Sequence, residues 1–228
     1  MAKPQQRLIE LPAAFTAVDA LRHFGWNKVY GNKMLSSWVQ QGVLERLGPR
    51  LDVYVNTARV PQDQRTDALL DALVFGHFRV DPNVWRWYEW STQISHRREE
   101  LVVNLTKTLH PRADLILHAK PPGWLRTVAP GLIASGSYGG PHLHPAWLMA
   151  EAVLNPQTTW WSPAPDDIDF DAIHEQNSAD SIVYALRALG QYHGRALHLS
   201  PTESVESCYT RLWADRHAPE YTRTDPGL

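Results

Sequence analysis

Five polar side chains between residues 32 and 40 have types and spacing that suit contacts with nucleic acid. Side chains of these kinds bond to base edges and to phosphates. Because apolar residues alternate with them at helical spacing, we expect the polar set to form the outer face of one helix. The pattern favours binding to double-stranded DNA by the following residues: Asn32, Lys33, Ser36, Ser37 and Gln40.

The surrounding elements should position this face. Phe15 begins an apolar repeat typical of a short amphipathic helix, which Gly25 ends. We expect an irregular linker over residues 26–31, with Lys28 as a basic candidate. Asn32 is then the predicted N-cap of a second helix that ends near Gln41. The apolar side chains of that helix should pack inward: Met34, Leu35, Trp38 and Val39.

A hairpin is predicted directly after the second helix. Residues 43–47 can form one strand, residues 48–50 supply turn residues, and residues 51–55 alternate as the return strand. Arg46 and Arg50 would lie on the flank and tip of this hairpin, where a DNA phosphate or the minor groove would be. Helix, turn, helix and hairpin make the outline of a winged helix-turn-helix, which we predict for residues 1–60.

The charge distribution agrees with that prediction. Residues 1–60 contain eight Lys and Arg residues against four Asp and Glu residues, a net charge of +4. The remaining 168 residues contain 14 basic and 20 acidic residues, a net charge of −6. The whole-chain charge of −2 therefore hides a basic end, and this end coincides with the segment that would need attraction to phosphate.

Residues 61–217 are expected to form a larger mixed α/β domain, so that the fold class is α+β, and residues 218–228 a flexible tail. A helix should open near Thr66. The run Leu115–Leu117 should be a strand paired with residues 132–134. Three helices should follow, at Pro145–Leu154, at about Asp180–Tyr192, and after a Ser200 cap.

Residues 82–110 are ambiguous. The alternation of Trp85 and Trp87 suggests a strand, whereas residues 99–105 suggest a helix. The aromatic cluster at residues 85–90 is expected to anchor a core or an interface, since stacking on nucleic acid would need basic residues between the rings.

Composition limits the remaining possibilities. The 228 residues are 43% hydrophobic, which can fill a core, and no apolar run approaches 18 residues. No signal-like segment follows the N-terminus, so we expect a cytoplasmic protein without a membrane partner. Cys208 is the only cysteine, which excludes an intramolecular disulfide.

Catalytic motifs are weak, and we predict no catalytic residue, cofactor or metal. The pair His142 and His144 fits neither common zinc spacing. From a different functional class, a metal-dependent nuclease of the restriction type, centred on Asp114 and Lys120, stays an alternative. It lacks the second acid that would complete a metal site.

Two segments carry a resemblance to a known family. The first is residues 42–48, Gly-Val-Leu-Glu-Arg-Leu-Gly, with Tyr54 closing the wing. The second is the helix that Pro145 introduces, followed by Trp160-Trp161 and residues 165–169. The chain resembles the AbiEi family, the antitoxins of type IV abortive-infection toxin-antitoxin systems. The resemblance implies a repressor of its own operon that counters a nucleotidyltransferase-like toxin.

The acidic run of the second segment has three interpretations, of which one, a metal site, lacks the glycine and the terminal glutamate of an EF-hand loop. It can be the favourable negative charge at a helix N-terminus. It can also be a surface for a partner such as a basic toxin. The residues concerned are Asp166, Asp167, Asp169 and Asp171. A stand-alone winged-helix regulator without a toxin is the alternative within DNA-binding functions.

Overall fold

A computed structural model shows a mixed α/β fold, and the residues that it describes form two small sheets. The structure describes residues 7–73, 76–91, 99–104, 111–134, 140–155, 157–158, 160–200 and 202–217. The chain forms two compact units. The first unit contains Met1–His77 and Leu101–Lys120, and the second contains Phe78–Glu100 and Pro121–Leu228. The domain boundary predicted at residue 60 falls inside the first unit.

The described elements follow one another along the chain, with short 3-10 turns at Gln62–Gln64, Ala129–Gly131 and Pro165–Asp167. They are β1 (Ala14–Thr16), α1 (Ala17–Phe24), α2 (Lys28–Gln40), β2 (Leu44–Arg46), β3 (Val53–Asn56), α3 (Arg65–Leu73), β4 (His77–Arg79), α4 (Pro82–Trp87), β5 (Glu99–Val103), β6 (Leu115–Ala119), α5 (Pro122–Val128), β7 (Leu132–Ile133), β8 (His142–Leu143), α6 (Pro145–Leu154), α7 (Phe170–Glu175), α8 (Ala179–Tyr192) and α9 (Val205–His217).

The three-stranded sheet of the first unit has β3 in its centre. It is antiparallel, in the order β1-β3-β2, with Ala14 opposite Val55 and Arg46 opposite Tyr54. All four residues of β3 are buried. Val53 and Val55 belong to one apolar cluster, whereas Tyr54 belongs to another that includes α1 and α2. The alternation along this strand therefore separates two buried faces.

The start of α2 differs from the prediction. Asn27, not Asn32, is the N-cap, and its Oδ1 accepts a hydrogen bond from the Tyr30 N–H at 2.9 Å. The predicted linker over residues 26–31 is therefore wrong beyond Asn27. Gly31 lies inside the helix, and a Cβ at this position would come 2.0 Å from Leu21 Cδ2. This glycine allows α1 and α2 to pack closely.

The five-stranded sheet has the order β6-β5-β4-β8-β7. Strand β7 pairs antiparallel with β8, Leu132 lying opposite Leu143, and β4 pairs parallel with β8. The predicted pairing of residues 132–134 with Leu115–Leu117 is therefore wrong. The strand next along the chain takes that place, as is usual for sequential strands. The strand prediction for Leu115–Leu117 is confirmed.

The ambiguous segment contains a helix and then a strand. Asp81 caps α4 through the Asn83 N–H at 2.8 Å, and Pro82 occupies the first turn. The expected strand at Trp85 and Trp87 is therefore wrong. The expected helix at residues 99–105 is also wrong, since β5 lies between two other strands and its apolar run is buried. Trp85 and Trp90 are fully buried, as expected for core anchors.

Two helices of the second unit, α6 and α8, follow the prediction closely. Helix α6 has the predicted bounds, and α8 begins one residue earlier than expected. Helix α6 packs mainly against α8 and also against α9. The predicted cap at Ser200 is wrong: Ser204 Oγ accepts a hydrogen bond from the Ser207 N–H, and α9 begins at Val205. The predicted tail, residues 218–228, lies outside the described residues.

Candidate nucleic-acid interface

Helix α2 presents a polar face to solvent. Asn32, Lys33, Ser36 and Gln40 are exposed, whereas Ser37 is half-buried and accepts a hydrogen bond from Gln41 Nε2 at 3.1 Å. On the opposite face, Leu35 and Trp38 are buried, and Met34 and Val39 are partly buried against the same cluster. The predicted inner and outer faces are therefore those of the structure.

The N-terminal turn of α2 adds residues that the sequence pattern assigned to a linker. Lys28 is exposed, Val29 has 83% of its surface exposed and Tyr30 has 46%. Val29 shares the face of Asn32, Lys33 and Ser36, because residues three, four and seven apart lie together on a helix. The signal that could have found this turn is Asn27, a favourable N-cap residue.

An aromatic cluster holds α2 against α1. The rings of Phe24 and Trp26 stack with centroids 4.4 Å apart, and Trp26 lies 5.6 Å from Trp38. Tyr30 contacts Trp26 edge to face at 5.5 Å. Only three residues, Gly25 to Asn27, connect the helices, with Gly25 in the left-handed region at φ +62°. The exposed face of α2 thus belongs to a helix that is packed against α1, and not to a loop.

Two acidic side chains near α2, Glu45 and Asp19, form structural contacts. Glu45 binds two guanidinium groups, Arg65 at 3.1 Å and Arg112 at 2.7 Å. Asp19 accepts hydrogen bonds from the Thr16 hydroxyl at 2.7 Å and from its backbone N–H at 2.9 Å. The Thr16 hydroxyl and backbone N–H lower the pKa of Asp19. Both carboxylates are therefore tied to structural partners.

The basic groups are not neutralised in this way. Helix α2 contains Lys28 and Lys33 and no Asp or Glu. Within the described part of the chain, neither lysine forms an ion pair, and neither does the exposed Arg50. Uncompensated cations beside hydrogen-bonding side chains make this face attractive to a polyanion.

The two arginines of the hairpin differ. Arg46 is half-buried on β2, and its Nη1 donates a hydrogen bond to the Pro49 carbonyl at 3.3 Å. It lies opposite Tyr54, whose pKa is raised by burial and by nearby Asp52. Arg50 is exposed in the connection between β2 and β3. Arg46 therefore has a role in the loop itself, whereas Arg50 is available to a ligand.

The residues considered for catalysis have structural partners. Asp114 lies 2.8 Å from Arg112 Nε, and its side chain is 68% exposed. His142 contacts the Gly140 carbonyl at 3.0 Å and the Tyr88 hydroxyl at 3.1 Å. His144 accepts a hydrogen bond from the Ala146 N–H, and burial lowers its pKa to about 4. The described residues contain no group of three His, Cys, Asp or Glu side chains that could hold a metal ion.

The acidic run lies at the start of α7. Asp169 is the N-cap, and its Oδ1 accepts a hydrogen bond from the Ala172 N–H at 2.9 Å. Asp166 and Asp167 lie in the preceding 3-10 turn, and Asp171 lies in the first turn of α7. Together with Glu206, these side chains line an open depression of the second unit. Helix-terminal charge explains Asp169 and Asp171.

No family model and no curated protein matches the chain. Among solved structures, the chain is similar to the RV2827C protein from Mycobacterium tuberculosis. The two share 12% sequence identity at a TM-score of 0.48, over 94% of this chain and 80% of that one. No helix within the described residues has the length and apolar character needed to cross a membrane.

Proposed function

We propose that the protein is a transcriptional repressor that binds double-stranded DNA through α2 and the β2–β3 hairpin. The observation that carries this proposal is the exposed face of α2, which combines hydrogen-bonding side chains with two unpaired lysines and has no acid. A face of this composition suits both base edges and phosphates. It lies on a helix that a neighbouring helix and an aromatic cluster hold in place.

The order of elements supports a winged helix-turn-helix. Helix α1 leads through a three-residue connection into α2, which would be the recognition helix in the major groove. The hairpin would be the wing, with Arg50 at its exposed connection and Arg46 on its flank. Asn32, Ser36, Ser37 and Gln40 would then face the groove.

Four cations are suited to contact phosphate: Lys28, Lys33, Arg46 and Arg50. Each phosphate contact adds about −0.9 to the slope of log binding constant against log salt concentration. Four contacts would give a slope between about −3 and −4 for one protomer. Because Arg46 also serves the hairpin, we expect its replacement to alter both the slope and the loop.

The test is a salt titration of binding to a labelled 20-bp duplex, followed by fluorescence anisotropy. The double variant Lys33→Ala/Arg50→Ala should weaken binding and flatten the salt dependence by about one to two charges. Arg126→Ala/Arg187→Ala is the matched control, since it removes two exposed charges from the second unit. Equal binding by the wild type and the first variant, or equal losses in both variants, would contradict the proposal.

The antitoxin role is the second part of the proposal and depends on the resemblance to the AbiEi family. The depression lined by Asp166, Asp167, Asp169 and Asp171 would then be the surface for a basic toxin. Co-expression with a nucleotidyltransferase-like protein encoded beside the gene tests it. Co-purification that Asp166→Asn/Asp167→Asn weakens would support the antitoxin, whereas no complex would favour a stand-alone regulator. A repressor must reach the DNA that it binds, and we therefore also propose the cytoplasmic location expected from the sequence.

A further inference from the structure

One apolar side chain, Val29, lies on the exposed polar face of α2. Val29 is 83% exposed, more than the other large hydrophobic side chains exposed in the described residues, which include Ile9 at 70% and Val18 at 59%. It stands beside Lys28 and one helical turn from Asn32. Because a side chain with this exposure contributes little to the fold, the methyl groups of Val29 are available to contact a ligand.

Asn32 is equally available. Its side chain is exposed and makes no hydrogen bond within the described part of the chain. Asn27 provides a contrast, because its Oδ1 accepts the Tyr30 N–H and caps the helix. The amide of Asn32 therefore keeps its donor and its acceptor for an external partner.

The two side chains have distinct partners in a major groove. An apolar group contacts the C5 methyl of thymine, and an asparagine amide bonds to N6 and N7 of adenine. Three helical residues span about 4.5 Å along the axis, which is comparable with the roughly 3.4 Å between successive base pairs. Val29 and Asn32 can therefore contact neighbouring base pairs, and both lie in the N-terminal half of α2, which contacts bases in helix-turn-helix docking.

We propose that Val29 recognises a thymine methyl group and that Asn32 recognises an adjacent adenine, so that α2 selects an A·T-containing step. This inference rests on the proposed function, since it specifies what the same helix reads. Lys33 and Ser36, on the same face, are left for a guanine edge or a phosphate. Gln40 lies two turns further along, at the C-terminal end of the helix.

The experiment uses a duplex selected by the full-length protein from a randomised library. Each thymine in turn is replaced by deoxyuridine, which lacks only the methyl group, and each adenine by 7-deazaadenine, which lacks only N7. At fixed salt, one deoxyuridine position should raise the wild-type Kd about fourfold, the effect of one buried methyl-sized group. One adjacent 7-deazaadenine position should raise it about three- to tenfold, the effect of one hydrogen bond.

The variants assign each effect to a side chain. Val29→Ser should lose the deoxyuridine effect and keep the 7-deazaadenine effect, and Asn32→Ala should do the reverse. Val18→Ser, at another exposed valine on α1, is the control and should keep both effects. Circular dichroism checks that each variant is folded.

The possible failures are distinguishable. If no duplex is enriched or bound, the proposed function fails and the inference fails with it. If a duplex is bound but no thymine responds to methyl removal, or Val29→Ser responds as the wild type does, the assignment of Val29 is overturned while DNA binding stands. The same reasoning applies to Asn32 with 7-deazaadenine.

Discussion

Helices α2 and α6 represent opposite uses of a helix in this protein. In α2, only Gly31, Leu35 and Trp38 are buried, and a wide polar face is left to solvent. In α6, all ten residues are buried, including Glu151. The buried helix contributes its whole surface to stability, whereas the exposed helix needs a small fraction of its surface for packing. Of these two helices, only α2 therefore has a surface that is free to bind a ligand.

The largest difference should appear when one apolar side chain is truncated in each helix. Leu148 on α6 is 1% exposed, so Leu148→Ala should lower the free energy of unfolding by about 2–5 kcal/mol. Val29→Ala on α2 should change it by less than about 0.5 kcal/mol, because the side chain is exposed. Urea unfolding followed by tryptophan fluorescence measures both. Similar losses of unfolding free energy in the two variants would mean that α2 and α6 do not differ in their contribution to stability.

Adding a methyl group at one glycine in each unit should give a smaller contrast. A Cβ on Gly131 would lie 2.1–2.6 Å from atoms of the Trp147 indole, which is buried and rigid. Gly131→Ala should therefore cost about 1–3 kcal/mol. In Gly31→Ala, the close atom is the end of the Leu21 side chain, which can rotate, and about 1 kcal/mol of helix propensity offsets the strain.

Thermal unfolding of the two glycine variants provides the measurement. We expect a clear decrease in Tm for Gly131→Ala and a change within about 1 kcal/mol for Gly31→Ala. If Gly31→Ala lowers Tm more than Gly131→Ala does, the contact between α1 and α2 is tighter than the packing around Trp147.

The smallest contrast concerns the helix caps and their pH dependence. The pKa of His144, which caps α6, is lowered to about 4, so the unfolded chain binds this proton first as the pH falls. The stability from neutral His144 is complete above its unfolded pKa of about 6.5 and is lost towards pH 4. The pKa of Asp19, in the cap of α1, is also lowered, and its contribution is lost only below about pH 4.

His144→Asn keeps a capping side chain without a group that titrates in this range. The slope of unfolding free energy against pH reports how many more protons the unfolded chain binds than the folded one. Between pH 6.5 and 4, His144→Asn should reduce this number by up to one, as urea unfolding at each pH would show. Asp19→Asn should leave the slope of stability against pH unchanged in that interval, lower the stability by a constant amount throughout it, and flatten the profile only below about pH 4. An unchanged profile in His144→Asn would contradict the assignment.

The two helices also show where sequence reasoning succeeds. The bounds of α6 were predictable because Pro145 starts a run of helical length in which every residue except Glu151 is apolar. The first turn of α2 was missed because the sequence of residues 26–31 favours an irregular linker, whereas Asn27 caps a helix in which Gly31 packs against Leu21. Likewise, Trp85 and the run at residues 101–103 are buried, and burial removes the periodicity that separates helix from strand.

Part of the candidate site was predictable from the helical spacing of its buried residues. Asn32, Lys33, Ser36 and Gln40 follow from the spacing of Leu35 and Trp38, which face the core. Val29 and Tyr30 did not follow, since their exposure depends on a helix that starts at Lys28. The pairing of Glu45 with Arg65 and Arg112 connects residues 20 and 67 positions apart, and no local pattern indicates it.

The most direct test of the central claim is amide chemical-shift mapping. Labelled full-length protein would be titrated with a 20-bp duplex, and the shifts of its backbone amides would be followed by two-dimensional NMR. If α2 and the β2–β3 hairpin bind DNA, the largest changes should lie in residues 28–40 and around Arg50. Changes confined to the second unit, with the amides of α2 unaffected at saturating DNA, would contradict this binding mode.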